Sequence, residues 1–565
     1  MSASGKKLGH GYAWLLAVAA LLVCSVPSHA QKSGQPAAAS PASREPADPV
    51  LEAMRAELER SKADLRMENV AAPYYIEYHL WDVDEYSAEA AFGALREEQR
   101  YHARSLRVVV RVGDYKQDSY WGPGMGAADL APVDNDPKAL RRALWLATDQ
   151  AYKAASEALA TKQAMLRQYA APQPFDDFAH APALEMIEPL VKLEFDAQPW
   201  KETLERATAL FRTDPKIESL TGRVRFRAIN HYFLNTGGTV TRSGETVYFL
   251  GAAGSTQADD GMRLERSPYY VAGSAQELPK PEEYLADTAK LVATLKELRE
   301  APLVEEDYRG PVLFSPDAAA DLVYGMVGEN VRGIRPRPGD SARTSGKYAA
   351  DYHGRVLPAF LTVIDDPTMK TFAGKTLVGH YEADDEGVRA RSVPVVQDGE
   401  LVSYLLGRQP IRDFPDSNGH GRASPAQIPM PQMGNLLVQS KQSFSSDELK
   451  KKLLEICRQD GQAYGYLVET VGGSGYTPRL LYRVYEKDGH QELVRGAVFD
   501  ELDTRALRHD LIAVGNDPVV NNRESAVPTT VITPSLLFDE LEIKRTDTQN
   551  AKLPEYPPPE LSTAP

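Results

Sequence analysis

Two kinds of hydrophobic spacing occur in the first half of the chain. Apolar residues every three or four positions after Asp48 and Pro49 predict a helix, because that spacing puts them on one helical face. A capping signal at residues 134–137, which includes Asp136, starts a second predicted helix over residues 137–169, and a third follows Pro281 over residues 282–299. Strands are predicted over residues 106–112 and 224–250, the latter divided into two or three by turn residues at 235–238 and 243–244.

After residue 305 the composition changes, and glycine, proline and short runs of β-branched residues predominate. The predicted fold class is therefore α+β. It comprises an N-terminal mixed α/β domain with an antiparallel sheet over residues 49–305 and a C-terminal mostly-β domain over residues 306–545. The short strands predicted in the second domain are residues 312–314, 361–364, 393–396, 401–405, 464–468, 480–485 and 541–543.

One helix is predicted within the β-rich half. Ser445 and Glu448 have the spacing of a capping box, which satisfies backbone donors at a helix start. Leu449, Leu453 and Cys457 then share one face, so Cys457 is predicted to be a core residue rather than a reactive thiol.

The two ends of the chain have the composition of segments outside the folded core. Residues 1–30 combine Lys6 and Lys7, an apolar run too short for a membrane span and a small-residue site at Ala30, which predicts a cleaved secretory signal. A flexible linker at 31–48 and a disordered Pro-rich tail at 546–565 are also predicted. We expect a periplasmic or secreted protein without a transmembrane segment. Cys24 leaves a lipid anchor open.

Composition narrows the function classes. The chain is 42% hydrophobic and 25% charged, as in globular proteins, and its formal net charge is -15. Because negative charge repels phosphate backbones, nucleic acid is not expected as a partner. Removal of the signal leaves a single cysteine, so an internal disulfide is excluded.

Seven ordered segments of the second domain resemble a known family, the TldD/PmbA metallopeptidases, also known as modulators of DNA gyrase. The resemblance implies a TldD/PmbA-like fold and extends more weakly into the first domain at residues 105–114 and 235–238. The segments are VIDDPT (363–368), DDEG (384–387), VVQDGELVSYL (395–405), SNGHGRAS (417–424), PMPQMGN (429–435), IAVGNDP (512–518) and PSLL (534–537).

The family's zinc motif is degenerate in this chain. Active members, as the resemblance implies, carry His-Glu-x-x-x-His on a helix and a third cysteine ligand near the C-terminus. The matching segment here is LVYGMVGENVRG (322–333), with Tyr324, Gly325 and Glu329 at the three motif positions and no cysteine in residues 519–528. A phenol with a pKa near 10 is a poor zinc ligand, and glycine cannot move a proton. We therefore predict no catalytic residues and no metal or cofactor site, with zinc only in active relatives.

Other candidate chemistry is sparse. His353, His380 and His420 lie in the second domain and could converge in space to form an unusual ligand set. The glycine-rich run at residues 472–475 does not have the spacing of a Gly-x-Ser-x-Gly nucleophile and is interpreted as a loop.

Three functions remain open from the sequence. The first is an exported, zinc-free subunit for proteolysis that binds peptide and pairs with a zinc-bearing TldD-type relative, or forms a homodimer. The second is an active metallopeptidase with an unusual ligand set. The third is a secreted protein that binds peptides or partners without a protease role.

The signal predicts a defined mature N-terminus. Exported protein should begin at or near Gln31, because the cleavage site follows Ala30. Mass analysis of exported material measures this directly. An intact N-terminus in that material would contradict the prediction.

Overall fold

The fold was taken from a computed structural model that describes residues 48–168, 175–304, 307–337, 340–473, 475–546 and 553–554. The predicted signal peptide lies outside the described residues, as do nearly all of the predicted linker and Pro-rich tail. None of the helices in the described ranges is long and apolar enough to cross a membrane.

A large sheet and four helices make up the first half. Its helices are α1 (Pro49–Asp64), α2 (Pro137–Leu166), α3 (Ala197–Thr208) and α4 (Pro281–Glu300). Its strands are β1 (Tyr75–Ala91), β2 (Ala94–Arg111), β3 (Ala127–Ala131), β4 (Glu185–Ile187), β5 (Ile217–Asn235), β6 (Val240–Gln257), β7 (Arg263–Arg266) and β8 (Tyr269–Ala272).

Shorter strands dominate the second half. Its helices are α5 (Pro316–Leu322), α6 (Ser446–Asp460) and α7 (Thr504–His509). Its strands are β9 (Tyr308–Phe314), β10 (Leu361–Asp365), β11 (Thr371–Phe372), β12 (Lys375–Thr376), β13 (Val393–Gln397), β14 (Glu400–Leu401), β15 (Gly421–Arg422), β16 (Met430–Pro431), β17 (Asn435–Ser440), β18 (Tyr464–Gly472), β19 (Thr477–Tyr485), β20 (Gln491–Val494), β21 (Ala497–Asp500), β22 (Leu511–Val514), β23 (Val519–Arg523), β24 (Thr529–Thr533) and β25 (Leu536–Arg545).

The first sheet has the strand order β3-β2-β1-β5-β6-β4, with β7 and β8 also paired to β6. Side chains alternate between the two faces of a strand. The buried even-numbered residues of β1 and β5 pack with residues of the four helices, as Tyr78 does with Met54 of α1 and Phe226 with Leu204 of α3. The odd-numbered residues form the opposite face, which meets the second half of the chain.

Two sheets enclose α5 in the second half. Their orders are β14-β13-β10-β17-β24-β23 and β20-β19-β18-β9-β25-β21, the latter with β22 paired to β25. Ala318, Ala319 and Leu322 of α5 belong to one buried core with residues of both sheets, such as Val363 and Val312. The residues that follow α5 are therefore held by apolar packing on two sides.

The predicted α+β class is confirmed. α1, α2 and α6 begin at the positions that the sequence predicts. Asp48, Asp136 and Ser445 are their N-cap residues, and the side chain of each accepts a hydrogen bond from a backbone N–H of the first turn. Cys457 is buried as expected, and burial raises the pKa of its thiol to about 11. The contacts from Asp48 onward form one compact unit, and the domain boundary near residue 305 stays a prediction.

Two strand predictions were wrong in detail. Gly244 does not break a strand, because it lies inside β6 opposite Asn230 of β5. A Cβ there would come within 2.7 Å of Val191, so the glycine permits close packing rather than a turn. The strand predicted over residues 401–405 pairs only at Leu401, and Leu405 is held by an isolated bridge to Arg332.

A row of buried polar groups joins the first sheet to the second half of the chain. The Asp385 carboxylate lies 3.3 Å from His231 Nδ1 and 3.2 Å from Arg422 Nε. His231 Nε2 lies 3.2 Å from His79 Nδ1, and His79 Nε2 lies 3.5 Å from Glu77 Oε1. Burial removes these groups from water, so each depends on the next for its partner.

The next acidic residue, Glu386, is buried in the same junction. Burial raises the pKa of its carboxyl group to about 7, although the backbone N–H of Arg408 donates to Oε2 at 2.6 Å and opposes the shift. Because the folded-state pKa lies above the unfolded value, ionisation of Glu386 opposes folding as the pH rises.

This shift predicts a pH-dependent stability term. Ionisation of Glu386 should lower the free energy of unfolding as the pH rises from about 4.5 through about 7, because its pKa is higher in the folded state than in the unfolded state. Glu386→Gln should remove that term while keeping an acceptor for Arg408. Chemical denaturation at pH 5 and pH 8 compares the variant with the wild type and with Glu400→Gln, an exposed control. Equal pH dependence in all three proteins would contradict the prediction.

Candidate functional site

The segment with the degenerate motif continues α5 as an irregular turn. α5 begins after the N-cap Ser315. The chain then continues through a π-helical turn at Val323–Val327 and a 3₁₀ turn at Gly328–Asn330. The Asn330 side-chain amide donates to the Met326 carbonyl oxygen at 2.9 Å. π-turns are frequent at functional sites, and here the turn sets the directions of the motif side chains.

Gly325, at the position of the family's glutamate, packs against Tyr476. A Cβ built on Gly325 would overlap the Tyr476 hydroxyl oxygen. Tyr476 has a φ of 52°, a left-handed conformation that is rare for a bulky residue. It is the last residue of the β18–β19 turn, so the glycine-rich run that was predicted to be a loop brings an aromatic side chain to the motif.

Tyr324, at the position of the first histidine, carries a guanidinium over its ring. Arg523 Cζ lies 4.6 Å from the ring centroid, and Arg523 Nη2 donates to Asp321 Oδ1 at 2.6 Å. Arg523 ends β23, within the segment expected to supply the third ligand. The fold thus brings the two parts of the degenerate motif together.

Glu329, at the position of the second histidine, is engaged by another arginine. Arg332 Nη1 lies 2.5 Å from Glu329 Oε2, and Arg332 Nε donates to the Pro431 carbonyl oxygen at 2.7 Å. The one carboxylate of the motif is therefore occupied by a neighbouring cation.

These residues do not fit a zinc ion. Burial and the nearby Glu329 carboxylate raise the pKa of Tyr324, so its phenol stays protonated at neutral pH. Gly325 offers no ligand, and Arg523 places a positive charge where the third ligand is expected. A zinc site needs deprotonated N, O or S ligands around the metal.

The other histidines do not supply a replacement. His420 is fully buried, with Nε2 3.2 Å from Asp365 Oδ1, whereas His380 Nδ1 lies 2.8 Å from the Pro367 carbonyl oxygen. His353 is exposed and packs on the ring of Tyr352. Within the described ranges, no three His, Cys, Asp or Glu side chains are grouped so that they could hold a metal ion.

Two residues of the site were missed by sequence reasoning. Tyr476 lies about 150 positions from Gly325 and Arg523 about 200 from Tyr324, so no local spacing links them. The only signals were the glycines before Tyr476, which permit an unusual turn, and an arginine within residues 519–528.

Comparison with known proteins finds a family match in the second half of the chain. Residues 307–545 match the family described as PmbA/TldA metallopeptidase C-terminal domain. A metalloprotease of Archaeoglobus fulgidus is 36% identical over 119 residues, which are 21% of this chain and 24% of that protein. A metalloprotease of Methanocaldococcus jannaschii is 27% identical over 128 residues, 22% of this chain and 26% of that protein. The matches span about a quarter of the length of these curated relatives.

Solved structures share the fold across most of the chain. A Thermotoga maritima protein described as a modulator of a DNA gyrase has a TM-score of 0.58 at 17% identity, covering 87% of this chain and 99% of that chain. TldE from Thermococcus kodakarensis has a TM-score of 0.57 at 13% identity, with the same coverage. Residues 307–545 therefore belong to the PmbA/TldD family as its metallopeptidase C-terminal domain, and the solved structures show that the chain as a whole shares their fold.

Proposed function

We propose that this chain is an exported, zinc-free subunit of a TldD-type peptidase, which binds peptide and pairs with a zinc-bearing relative. The observation that carries the proposal is the filled motif: Tyr476 packs against Gly325, and the Arg523 guanidinium covers Tyr324. A site occupied by a fixed cation and an aromatic ring suits a binding subunit better than a metal-dependent catalyst.

The family supplies the reason for pairing. The resemblance implies that TldD-type proteases join one zinc-bearing and one zinc-free subunit, and this chain has the features of the second kind. Its fold is also similar to that of TldE. A homodimer is the competing assembly.

The sheet that ends at the motif offers a place for peptide. β23 is the outer strand of its sheet, and all five of its residues are partly exposed. An extended peptide that adds to such an edge is bound through its backbone with little sequence preference. Arg523 ends this strand, so a peptide there would lie beside the filled motif.

The proposed function makes a prediction about zinc and activity. The purified chain should contain well under one zinc per chain, and a chelator should leave its melting temperature unchanged, because the core around α5 is apolar. A relative with intact His-Glu-x-x-x-His from the same compartment should co-purify with it and need it for full peptidase activity. Elemental analysis and a peptidase assay with and without this chain measure both.

Each alternative gives a different result. A full zinc equivalent that is lost on mutating His353, His380 or His420 would favour an active metallopeptidase with an unusual ligand set. If the chain runs alone and no zinc-bearing relative depends on it, a stand-alone peptide- or partner-binding role becomes the better explanation.

A separate prediction concerns the filling of the motif by Tyr476. Gly325→Ala should destabilise the protein by about 1–3 kcal/mol, because the new Cβ overlaps the Tyr476 hydroxyl group. In a Tyr476→Phe background the penalty should shrink, because the overlapping oxygen is gone. Denaturant unfolding of the wild type, both single variants and the double variant gives the coupling. Additive effects would show that Tyr476 does not fill this position.

A further inference from the structure

Three arginines lie in a row on the odd-numbered face of β5. Arg223, Arg225 and Arg227 alternate with Val224 and Phe226, whose side chains are buried on the helix-covered face. The three guanidinium groups therefore project from the same side of the sheet, toward the second half of the chain.

Two of the three arginines have carboxylate partners. Arg223 Nε donates to Glu89 Oε2 at 3.0 Å, and Arg225 Nε lies 2.5 Å from Glu524 Oε1. Arg227 differs from both. Its Nε and Nη2 atoms are buried and have no hydrogen-bond partner, and the described part of the chain places no acidic side chain in an ion pair with it.

The two unpartnered atoms have a defined geometry. Nε and Nη2 share one edge of the planar guanidinium, and their N–H bonds are parallel. That edge matches the two oxygens of a carboxylate, which is the strongest neutralising partner available to arginine. A buried guanidinium edge without a partner is unfavourable, so a ligand that supplies two oxygens would be favoured there.

Arg227 lies where the open and covered parts of the sheet face meet. On one side a cavity of about 210 Å³ is lined by Arg223 and Arg225 and by the carboxylates of Glu85, Glu89 and Glu97. On the other side a cavity of about 60 Å³ is lined by Ile229, His231 and Ala526. Arg225 and Ile229 flank Arg227 on the same strand face, so Arg227 lies between the two cavities along β5, although it lines neither.

The face already accepts a carboxylate beside this position. Glu524 is nearly buried on Arg225, and it directly follows Arg523 of the filled motif. The chain's own glutamate thus shows that a carboxylate approaching from the motif side can neutralise an arginine of this row.

We propose that Arg227 is a binding residue that receives a carboxylate group of a peptide ligand through Nε and Nη2. This inference rests on the proposed peptide-binding function and names the chemistry that orients the peptide. Both nitrogens are shielded from water, so the ligand reaches them when the side chains over them shift. Glu85 lies directly opposite on β1 and is the competing intramolecular partner.

The test uses the full mature chain and matched peptides. Binding is measured calorimetrically for a peptide with a free C-terminal carboxylate, its C-terminal amide, and an amide with one internal aspartate. Wild type, Arg227→Gln, Arg227→Lys and Arg263→Gln are compared, the last being an exposed strand arginine on β7. We expect the wild type to bind one of the two carboxylate peptides, either the free acid or the amide with the internal aspartate, with an affinity about 10-fold higher than that for the plain amide. Arg227→Gln should remove that preference.

The controls separate a binding role from a structural one. Arg227→Lys keeps the charge without the paired donors and should keep only part of the preference, whereas Arg263→Gln should keep all of it. The melting temperature of Arg227→Gln should not fall, because no native partner is lost. If Arg227→Gln and Glu85→Gln lower stability equally and non-additively, Arg227 is only the counter-ion of Glu85 and the inference is overturned.

The outcomes also separate this inference from the proposed function. Peptides that bind equally with and without a carboxylate, unaffected by Arg227→Gln, leave peptide binding intact and overturn the role of Arg227. If no peptide binds, the proposed function fails, and N-acetylglycine is compared with N-acetylglycinamide by NMR titration. Preferential binding of the acid that is lost in Arg227→Gln would then support the carboxylate site, and equal spectra would overturn it.

Discussion

The position of one guanidinium constrains the chemistry available to the second half of this chain. Arg523 is held against the Tyr324 ring and paired with Asp321, so its charge is fixed beside the motif. A metal dication placed beside such a charge would be repelled by it, because like charges within a few ångströms of each other are unfavourable in a partly buried site. The charge of Arg523 is partly neutralised within the chain by Asp321. What remains at this position is a packed polar surface that ends at the edge strand β23.

The regular elements could be predicted where the cause was local. Capping at Asp48, Asp136 and Ser445 set helix starts that the structure reproduces, because a cap involves only neighbouring residues. The prediction of a strand break at Gly244 was wrong because this glycine has a long-range role: it lets Val191 pack close to the backbone of β6. In the sequence, a glycine required for close packing looks the same as a glycine required for a turn. The long pairing of β1 with β5 was also missed, because its partners are about 150 residues apart.

The candidate site could likewise be predicted only in part from the sequence. That Tyr324, Gly325 and Glu329 stand in place of zinc-binding residues is an expectation from the resemblance to the family. What occupies the space does not, because Tyr476 and Arg523 arrive from distant strands. Tyr476 also adopts a left-handed backbone conformation that no propensity favours. Sequence comparison therefore shows which chemistry is missing, whereas the fold is needed to show which side chains have taken its place.

Apolar packing holds the elements around the motif. α5 is clamped between two sheets by alanines and leucine, and the first sheet is covered by four helices on its even-numbered face. Apolar burial on these surfaces needs no ion. The odd-numbered face of β5 is thereby free to carry charge: its inner part is joined to the second half through His231 and Asp385, and its outer part carries the arginine row. When apolar packing on one face of a sheet stabilises the fold, the residues on the other face can carry charge and bind ligands. Arg227, with its unpartnered Nε and Nη2 atoms, is the clearest example on this face.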